Sequence, residues 1–427
     1  MNTQQSQRSK ISSPVAPSPS VFRHRAFALF WWARVFSALA VQAESVTIGW
    51  QVYTVARHAH SVDQSAFLVG MVGLSQFVPL FLLTFIAGAT ADRQDRRSIM
   101  LACTAVEIAC VLVLAMLSRH LSLGLTPIFI IAAIFGASRA FLSPASGAMG
   151  PMLVPRESLP HAISRNSLGD QAGSVIGPWI GGTLCAISTS VSYAGAAVLY
   201  TLAAGALLAI RANTRPVYQK GSRLEQIREG IAYVWTNRIV LGAISLDLFA
   251  VLLGGATALL PVFASDVLRV GPHGFGLLRS GPAIGAAGMA FALSRWPLHH
   301  RAGHWMFAGV AAFGVATLVF AVSRSMLVSI VALIALGAAD MISVYVRQSL
   351  VQIVTPDHLR GRVSAVSGLF IGASAELGEF ETGVVARMLG PVGAAIFGGV
   401  GSLVITGTWS WMFPALREAD RLDGSEA

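Results

Sequence analysis

Residues 88–97 read Gly88-Ala89-Thr90-Ala91-Asp92-Arg93-Gln94-Asp95-Arg96-Arg97, a charged link between two long apolar runs, 65–90 and 98–118. Gly88 allows two helices to approach closely. Asp92 can accept hydrogen bonds from a neighbouring helix N-terminus. Arg93, Arg96 and Arg97 would hold the link at an aqueous face. The spacing Gly-x-x-x-Asp-Arg-x-x-Arg-Arg is too particular for a generic basic loop, and its flanks read as membrane spans.

The alternation of apolar run and short polar link extends along the chain. Of 427 residues 54% are hydrophobic and only 12% are charged, against about 25% charged in an ordinary soluble domain. Mean hydropathy is +0.66. Such a chain cannot cover itself with a water-compatible surface, which excludes a soluble enzyme, a nucleic-acid-binding protein and a disordered scaffold. At ~20 apolar residues per crossing, the composition suffices for about a dozen crossings. The expected fold class is an all-α membrane protein. The runs are 26–56, 65–90, 98–118, 124–148, 160–188, 191–211, 239–263, 273–294, 304–323, 326–347, 363–389 and 392–413, twelve in all.

The longest internal polar stretch, 212–238, divides these runs into two sets of six: an N-terminal half, 23–211, and a C-terminal half, 239–413. Within it Leu224, Ile227, Ile231 and Val234 recur at helical spacing, opposite Glu225, Gln226, Arg228 and Glu229, as in an amphipathic helix on a membrane interface. Residues 1–22 and 414–427 read as tails, the first polar and disordered. Val154-Pro155-Arg156-Glu157-Ser158-Leu159 opens the fifth run and Val354-Thr355-Pro356-Asp357-His358-Leu359 opens the eleventh, 200 residues later. This repeat predicts two pseudo-symmetric six-helix bundles with a cavity between them.

With the N-terminus placed in the cytoplasm, 22 Lys and Arg count toward that side and 6 toward the other, with Arg34 and Arg139 set apart as intramembrane. The asymmetry predicts a multi-pass protein with both termini cytoplasmic. The net charge of +10 is then a membrane-topology signal rather than a nucleic-acid footprint. Cys103, Cys110 and Cys185 lie in apolar runs without metal-ligand spacing, so no metal centre is expected; His58 and His60 make only a weak surface pair.

Two motifs carry a family resemblance. Residues 88–97 resemble the signature loop of the major facilitator superfamily, with Asp95 where a glycine is usual. The fifth run contains Gly173-Ser174-Val175-Ile176-Gly177-Pro178-Trp179-Ile180-Gly181-Gly182. Gly173, Gly177 and Gly181 share a helix face suited to close packing, and Pro178 bends the helix. The full pattern is similar to the antiporter motif of major-facilitator exporters. Trp50-Gln51-Val52-Tyr53, the stretches 247–249 and 260–264, and 360–364 with 376–381 narrow the resemblance to the enterobactin-exporter-like branch of proton-driven exporters, over about residues 25–413. It implies a bacterial-type inner-membrane protein, monomeric, without cofactor or nucleic-acid partner. The partners it implies are a small-molecule substrate, protons and the lipid bilayer.

Ionisable residues inside spans are costly and therefore functional candidates. Glu44 and Asp247 lie in the first helix of each half, which lines the cavity in this superfamily. Arg139 resembles the fourth-helix arginine of proton-coupled members. Asp340 is its counterpart 201 residues on, so the two would pair across the cavity if their helices face each other. Glu376 and Glu379 share a helix face as neighbouring carboxylates. Glu381 lies in the same span as a further candidate, whereas Arg34, Glu107 and Asp170 read more readily as structural pairs or snorkelling groups. The chain contains no GxxxxGK[ST] phosphate loop, and no enzymatic activity is expected. The expected function is export of a siderophore or drug-like organic compound by proton antiport and alternating access. A proton-coupled uptake symporter and a non-transporting sensor or assembly factor remain the alternatives, and a metal ion remains open as cargo.

Overall fold

The computed structural model describes residues 21–119, 124–212, 214–215, 223–298 and 300–420. Its helices are α1 (Arg25–Arg57), α2 (Val62–Ala91), α3 (Arg96–Leu117), α4 (Leu125–Met149), α5 (Leu159–Ile187), α6 (Thr189–Leu208), α7 (Arg223–Thr236), α8 (Arg238–Leu253), α9 (Leu260–Val262), α10 (Gly271–Arg295), α11 (Ala302–Val322), α12 (Met326–Val354), α13 (Asp357–Met412) and α14 (Pro414–Arg417). Among the described residues there is no strand. The chain is an all-α, multi-pass membrane protein. Large apolar side chains such as Leu82, Ile86, Met116, Leu327 and Met388 point outward, a surface that water would penalise and lipid accepts.

Nine helical stretches among the described residues are long and apolar enough to cross a bilayer. α5 and α10 fall outside that set, being rich in glycine and carrying Arg165 and Asp170 in one and His273 and Arg279 in the other. The last two apolar runs are joined in α13 through Gly390 (φ 75°, ψ 165°) and Pro391. That positive φ is available to glycine at little cost. The runs thus meet at a sharp corner with no loop between them.

The seventh run differs from the continuous helix its hydropathy predicts. α8 stops at Leu253, a 3₁₀ turn covers Ala256–Leu259, and a π turn covers Phe263–Val267. Gly254, Gly255 and Pro261 supply the break. A Cβ on Gly255 would sit 2.4 Å from Thr382 Oγ1 and 2.8 Å from the Gly378 carbonyl, so the tight passage of α13 requires glycine there. Discontinuous helices of this kind line ion and substrate sites in transporters.

The tails begin elsewhere than the sequence suggests. Val21–Arg23 forms a 3₁₀ turn with Val21 buried, and Phe22 meets Trp31 edge-on at 5.3 Å; residues 1–20 lie outside the described residues. At the other end Leu416 is fully buried, and residues 421–427 lie outside. α7 is not simply laid on the interface. Ile231 and Val234 pack with Val351, Val363 and Val366, Tyr233 donates to the Val354 carbonyl at 2.8 Å, and Glu229 pairs with Arg362. The side chains of Leu224, Glu225, Gln226 and Ile227 lie outside the described residues.

Candidate functional site

α1, α2, α4, α5 and α13 surround a central cavity of about 1010 Å³. Arg34, Gln42, Phe77, Arg139, Asp170 and Ser174 contribute to its lining, and Gly88, Ala89 and Met100 mark its mouth. The cavity therefore opens at the end of the bundle that carries the 88–97 link.

The opposite end is closed, and the contacts that close it join α1, α2 and α5 to the later helices. α5 meets α10 backbone to backbone: a Cβ on Gly182 would lie 2.6 Å from the Pro272 carbonyl and 2.7 Å from Gly276 Cα. α2 meets α13 likewise, a Cβ on Gly70 lying 2.7 Å from the Glu379 carbonyl. Trp50 stacks on Phe275 at 6.2 Å. Tyr53 donates a hydrogen bond to Asp266, and Arg57 lies 3.6 Å from the same carboxylate.

Two ion pairs stand on the cavity side of this closure and one beneath it. Arg34 and Asp170 pair at 2.5 Å between α1 and α5. Arg139 Nη1 donates to Gln76 Oε1 and to Glu376 Oε1, each at 2.9 Å. Arg279 lies 3.5 Å from Glu379 and also donates to the Thr257 carbonyl in the interrupted seventh run. Arg139 is thus paired with Glu376 and not with Asp340, because α4 faces α13 rather than α12 at this depth. Glu376 and Glu379 each hold a separate guanidinium, so they are not a bare carboxylate pair.

Glu44, Asp247 and Asp340 do not line the cavity. Glu44 is 5% exposed and faces Glu107, Tyr200 and the charge of Arg139 among the first six helices. Ser138 donates to Glu107 at 2.9 Å, while Oε2 of each glutamate lacks a hydrogen-bond partner. Asp247 lies 3.4 Å from the buried guanidinium of Arg347, beside Asp340. Helical periodicity assigns these residues to apolar spans but not to the face turned toward the cavity.

The 88–97 link is held by local contacts. Asp92 ends α2, its amide donating to the Gly88 carbonyl. Arg97 donates to the carbonyls of Leu207 and Leu208 at 2.8 and 2.7 Å, satisfying the C-terminal end of α6. Arg96 reaches Met152, and Arg93 is exposed. Asp95 gains a role that a glycine could not fill: it caps α3 through the Arg97 amide and accepts from Ser98 and Thr214. Partial burial acts to raise its proton affinity, but these hydrogen bonds outweigh burial and hold its carboxyl below the usual range.

The glycine face of α5 packs where the motif suggests, but on a neighbour of its own set. Cβ atoms on Gly173, Gly177 and Gly181 would meet Ala38, Gln42 and Ala43 of α1. The contact across to α10 uses the adjacent face, through Gly182 and the Pro178 carbonyl. Asp266, Arg279 and Arg347 are not singled out by the sequence, and Tyr53 enters there only within the 50–53 stretch. Arg279 and Arg347 entered the charge count as loop residues, although a lone cation inside an apolar run was the available signal. Removing one from each side leaves the asymmetry intact.

A helical bundle with a cavity open at one end and interrupted helices around it defines a membrane transporter of the major facilitator fold. The sequence model of the transmembrane secretion effector family of that superfamily matches residues 12–426, and the chain belongs to this family. It is 25% identical over 385 residues to the enterobactin exporter EntS of Escherichia coli O1:K1, covering 90% of each chain. To the multidrug efflux pump Tap of Mycolicibacterium fortuitum it is 28% identical over 408 residues, covering 90% of this chain and 96% of the pump. Among solved structures it resembles the nucleoside transporter NupG, with a TM-score of 0.70 at 13% identity over 91% of this chain and 100% of the other. A bacterial Spinster homologue, inward-facing and unoccupied, aligns with a TM-score of 0.68 at 14% identity over 94% and 97%.

Proposed function

We propose that the chain exports a small organic molecule of siderophore or drug-like size by proton antiport, through alternating access between two six-helix halves, 23–211 and 239–413. The halves hold twelve spans in a bacterial inner membrane, both termini cytoplasmic, and the protein works as a monomer. The observation that carries this reading is the asymmetry of the cavity. Its open end holds the basic 88–97 link, which the charge count assigns to the cytoplasm, and its closed end is sealed by contacts between the proposed halves. That is the loading state of an exporter.

The cavity of about 1010 Å³ matches the upper size of small-ligand sites. Phe77, Leu80 and Phe81 offer apolar surface beside the polar groups Gln42, Ser174, Arg34 and Asp170, a lining suited to an amphipathic organic molecule. Two relatives named as exporters of enterobactin and of drugs point the same way. Coupling is assigned to Glu376 and Glu379. The Arg139–Glu376 pair crosses between the halves and helps hold the closed end shut. A substrate that loads from the cytoplasmic side and competes for Arg139 weakens the pair and lets the closed end open. Glu376 then takes a proton from the outer side and gives it up to the cytoplasm once the cavity reopens there, which restores the pair and sets one proton entering against one substrate leaving.

The test is transport in inverted membrane vesicles, with candidate compounds taken from a growth screen of a deletion strain and siderophore secretion measured alongside. An exporter accumulates its compound inside inverted vesicles when a proton gradient is imposed, and a protonophore abolishes accumulation. Gradient-driven movement out of the vesicles would establish the uptake symporter instead.

A further inference from the structure

Within the C-terminal helices, away from the central cavity, α8, α11 and α12 enclose a chamber of about 10 Å³, the space that one water-sized particle occupies. It shares no lining residue with the central cavity. Asp247, Asp340 and Ser343 form its polar side, and Val310 and Phe313 of α11 contribute an apolar wall. Ser343 is 2% exposed, and its Oγ lacks a hydrogen-bond partner although it borders the chamber. A hydroxyl in that position costs free energy unless something inside the chamber satisfies it.

The charge balance is also incomplete. Asp247 and Asp340 supply two carboxylates against one guanidinium. Arg347 lies 3.4 Å from Asp247 and donates to Ser367 of α13 at 3.2 Å. Asp247 and Arg347 are the charged groups acting on Asp340; α11 offers only apolar walls, α13 only the Ser367 hydroxyl on Arg347, and α10 no charge. Asp247 is buried and Asp340 half-buried, and a surplus carboxylate withdrawn from water is expensive unless a cation neutralises it. Carboxylate and hydroxyl oxygens are hard ligands, suited to a hard cation.

We propose that this chamber binds one monovalent cation, as a sodium ion between Asp247, Asp340 and Ser343 or as a proton on the carboxylate pair. The site is separate from the Arg139–Glu376 and Arg279–Glu379 pairs. It does not depend on the direction of transport, so an exporter assay and the binding assay below can fail independently.

The purified full chain in detergent is melted in sodium chloride and in choline chloride, at about pH 8.5 and about pH 5.5, so that proton supply differs while sodium is held fixed. With a sodium site the melting midpoint rises by several degrees and saturates with sodium at the higher pH, following ligand linkage. The shift shrinks at the lower pH, where protons compete. Asp340→Asn, which removes the surplus charge, loses this response, and Ser343→Ala weakens it. With a proton as the occupant, sodium has no effect, and the pH dependence of the wild type is reduced in Asp340→Asn. Equal pH profiles for wild type and Asp340→Asn, with no response to sodium, overturn the proposal. If Asp340→Asn does not accumulate, Ser343→Ala decides, since it keeps every charge: sodium and pH responses both identical to wild type overturn the proposal as well.

Discussion

At the closed end of the bundle α5 meets α10 at Gly182 and Gly276, and α2 meets α13 at Gly70 and Gly383, with no side chain between the backbones. At the open end the strong contacts stay within one set of helices: Arg97 on the α6 carbonyls, Arg362 on Glu229 of α7. This contrast lets such a molecule change access without unfolding. Glycine-to-glycine contact is short-ranged and tolerates no added volume, so it is either made or lost. The internal ties at the open end let each set of helices move as a body.

The largest effect is expected from filling the closed end. Gly182→Leu places a branched side chain against the Pro272 carbonyl and Gly276, and should abolish transport while the protein still reaches the membrane. Gly177→Leu should also abolish transport, by a different route. It overpacks Gln42 and Leu39 within the first helices, at a cost of about 1–3 kcal/mol, and should lower the melting temperature and the yield of folded protein. Gly177→Ala should be milder. A fully active Gly182→Leu protein would remove the closed end from the account.

Next come Glu376, whose pair with Arg139 bridges the two halves, and Glu379, whose pair with Arg279 lies within the later helices. Glu376→Gln and Glu379→Gln preserve shape and remove a titrating group. At least one of them should retain substrate binding but lose pH-gradient-driven transport in proteoliposomes. Glu44→Gln and Asp247→Asn, whose carboxylates are off the cavity, should spare substrate binding. If both Glu376→Gln and Glu379→Gln keep wild-type gradient-driven transport, the coupling proton sits elsewhere or the driving ion is not a proton.

Hydropathy set the apolar runs, because a bilayer makes burial depend on length and composition. It missed the break after Leu253, where Gly254 and Gly255 matter because α13 passes so close. The 88–97 motif begins at the cavity, at Gly88, and the 173–182 motif lies on the helix that packs against both α1 and α10. They did not tell that Gly177 packs on α1 while Gly182 packs on α10, since adjacent faces of one helix differ only in which neighbour each meets. Arg139 and Glu376 were both legible as intramembrane charges. Their pairing depends on a contact between residues 237 positions apart, which no local pattern encodes.

A smaller effect is expected at the polar latch of the closed end. Asp266→Asn weakens its interactions with Tyr53 and Arg57. A partly exposed pair of this kind is worth about 0.2–1 kcal/mol, so the balance between access states should move a few-fold toward opening at that end. At the open end Asp92→Asn should impair transport at equal expression, through a charge–dipole contribution of about 0.3–2 kcal/mol. Unaltered transport in the Asp92→Asn protein would mean that the link serves only topology.

The smallest effect concerns the cap at Asp95. Asp95→Ala should cost about 1 kcal/mol of stability at neutral pH, read as a lower melting temperature. Because the Asp95 carboxyl is held below its usual range in the folded protein, its charged contribution is present above the ordinary carboxylate range, near pH 4. It fades as the pH falls through the lower folded value. The difference between wild type and Asp95→Ala should therefore narrow on acidification, and a difference that grows would contradict the hydrogen bonding assigned to Asp95.

The two ends of the bundle are expected to open in alternation. Cys103, Cys110 and Cys185 are buried, so cysteines introduced at exposed sites can carry spin labels selectively. One pair, Ala59→Cys with Arg324→Cys, spans the closed end; another, Gln94→Cys with His300→Cys, spans the open end. Distance distributions for both pairs are recorded in lipid nanodiscs across a pH series, with and without a transported compound. Alternating access requires opposite movements, the Ala59–Arg324 distance lengthening under the conditions that shorten the Gln94–His300 distance. Two distances that stay fixed together, or that lengthen together, would contradict it.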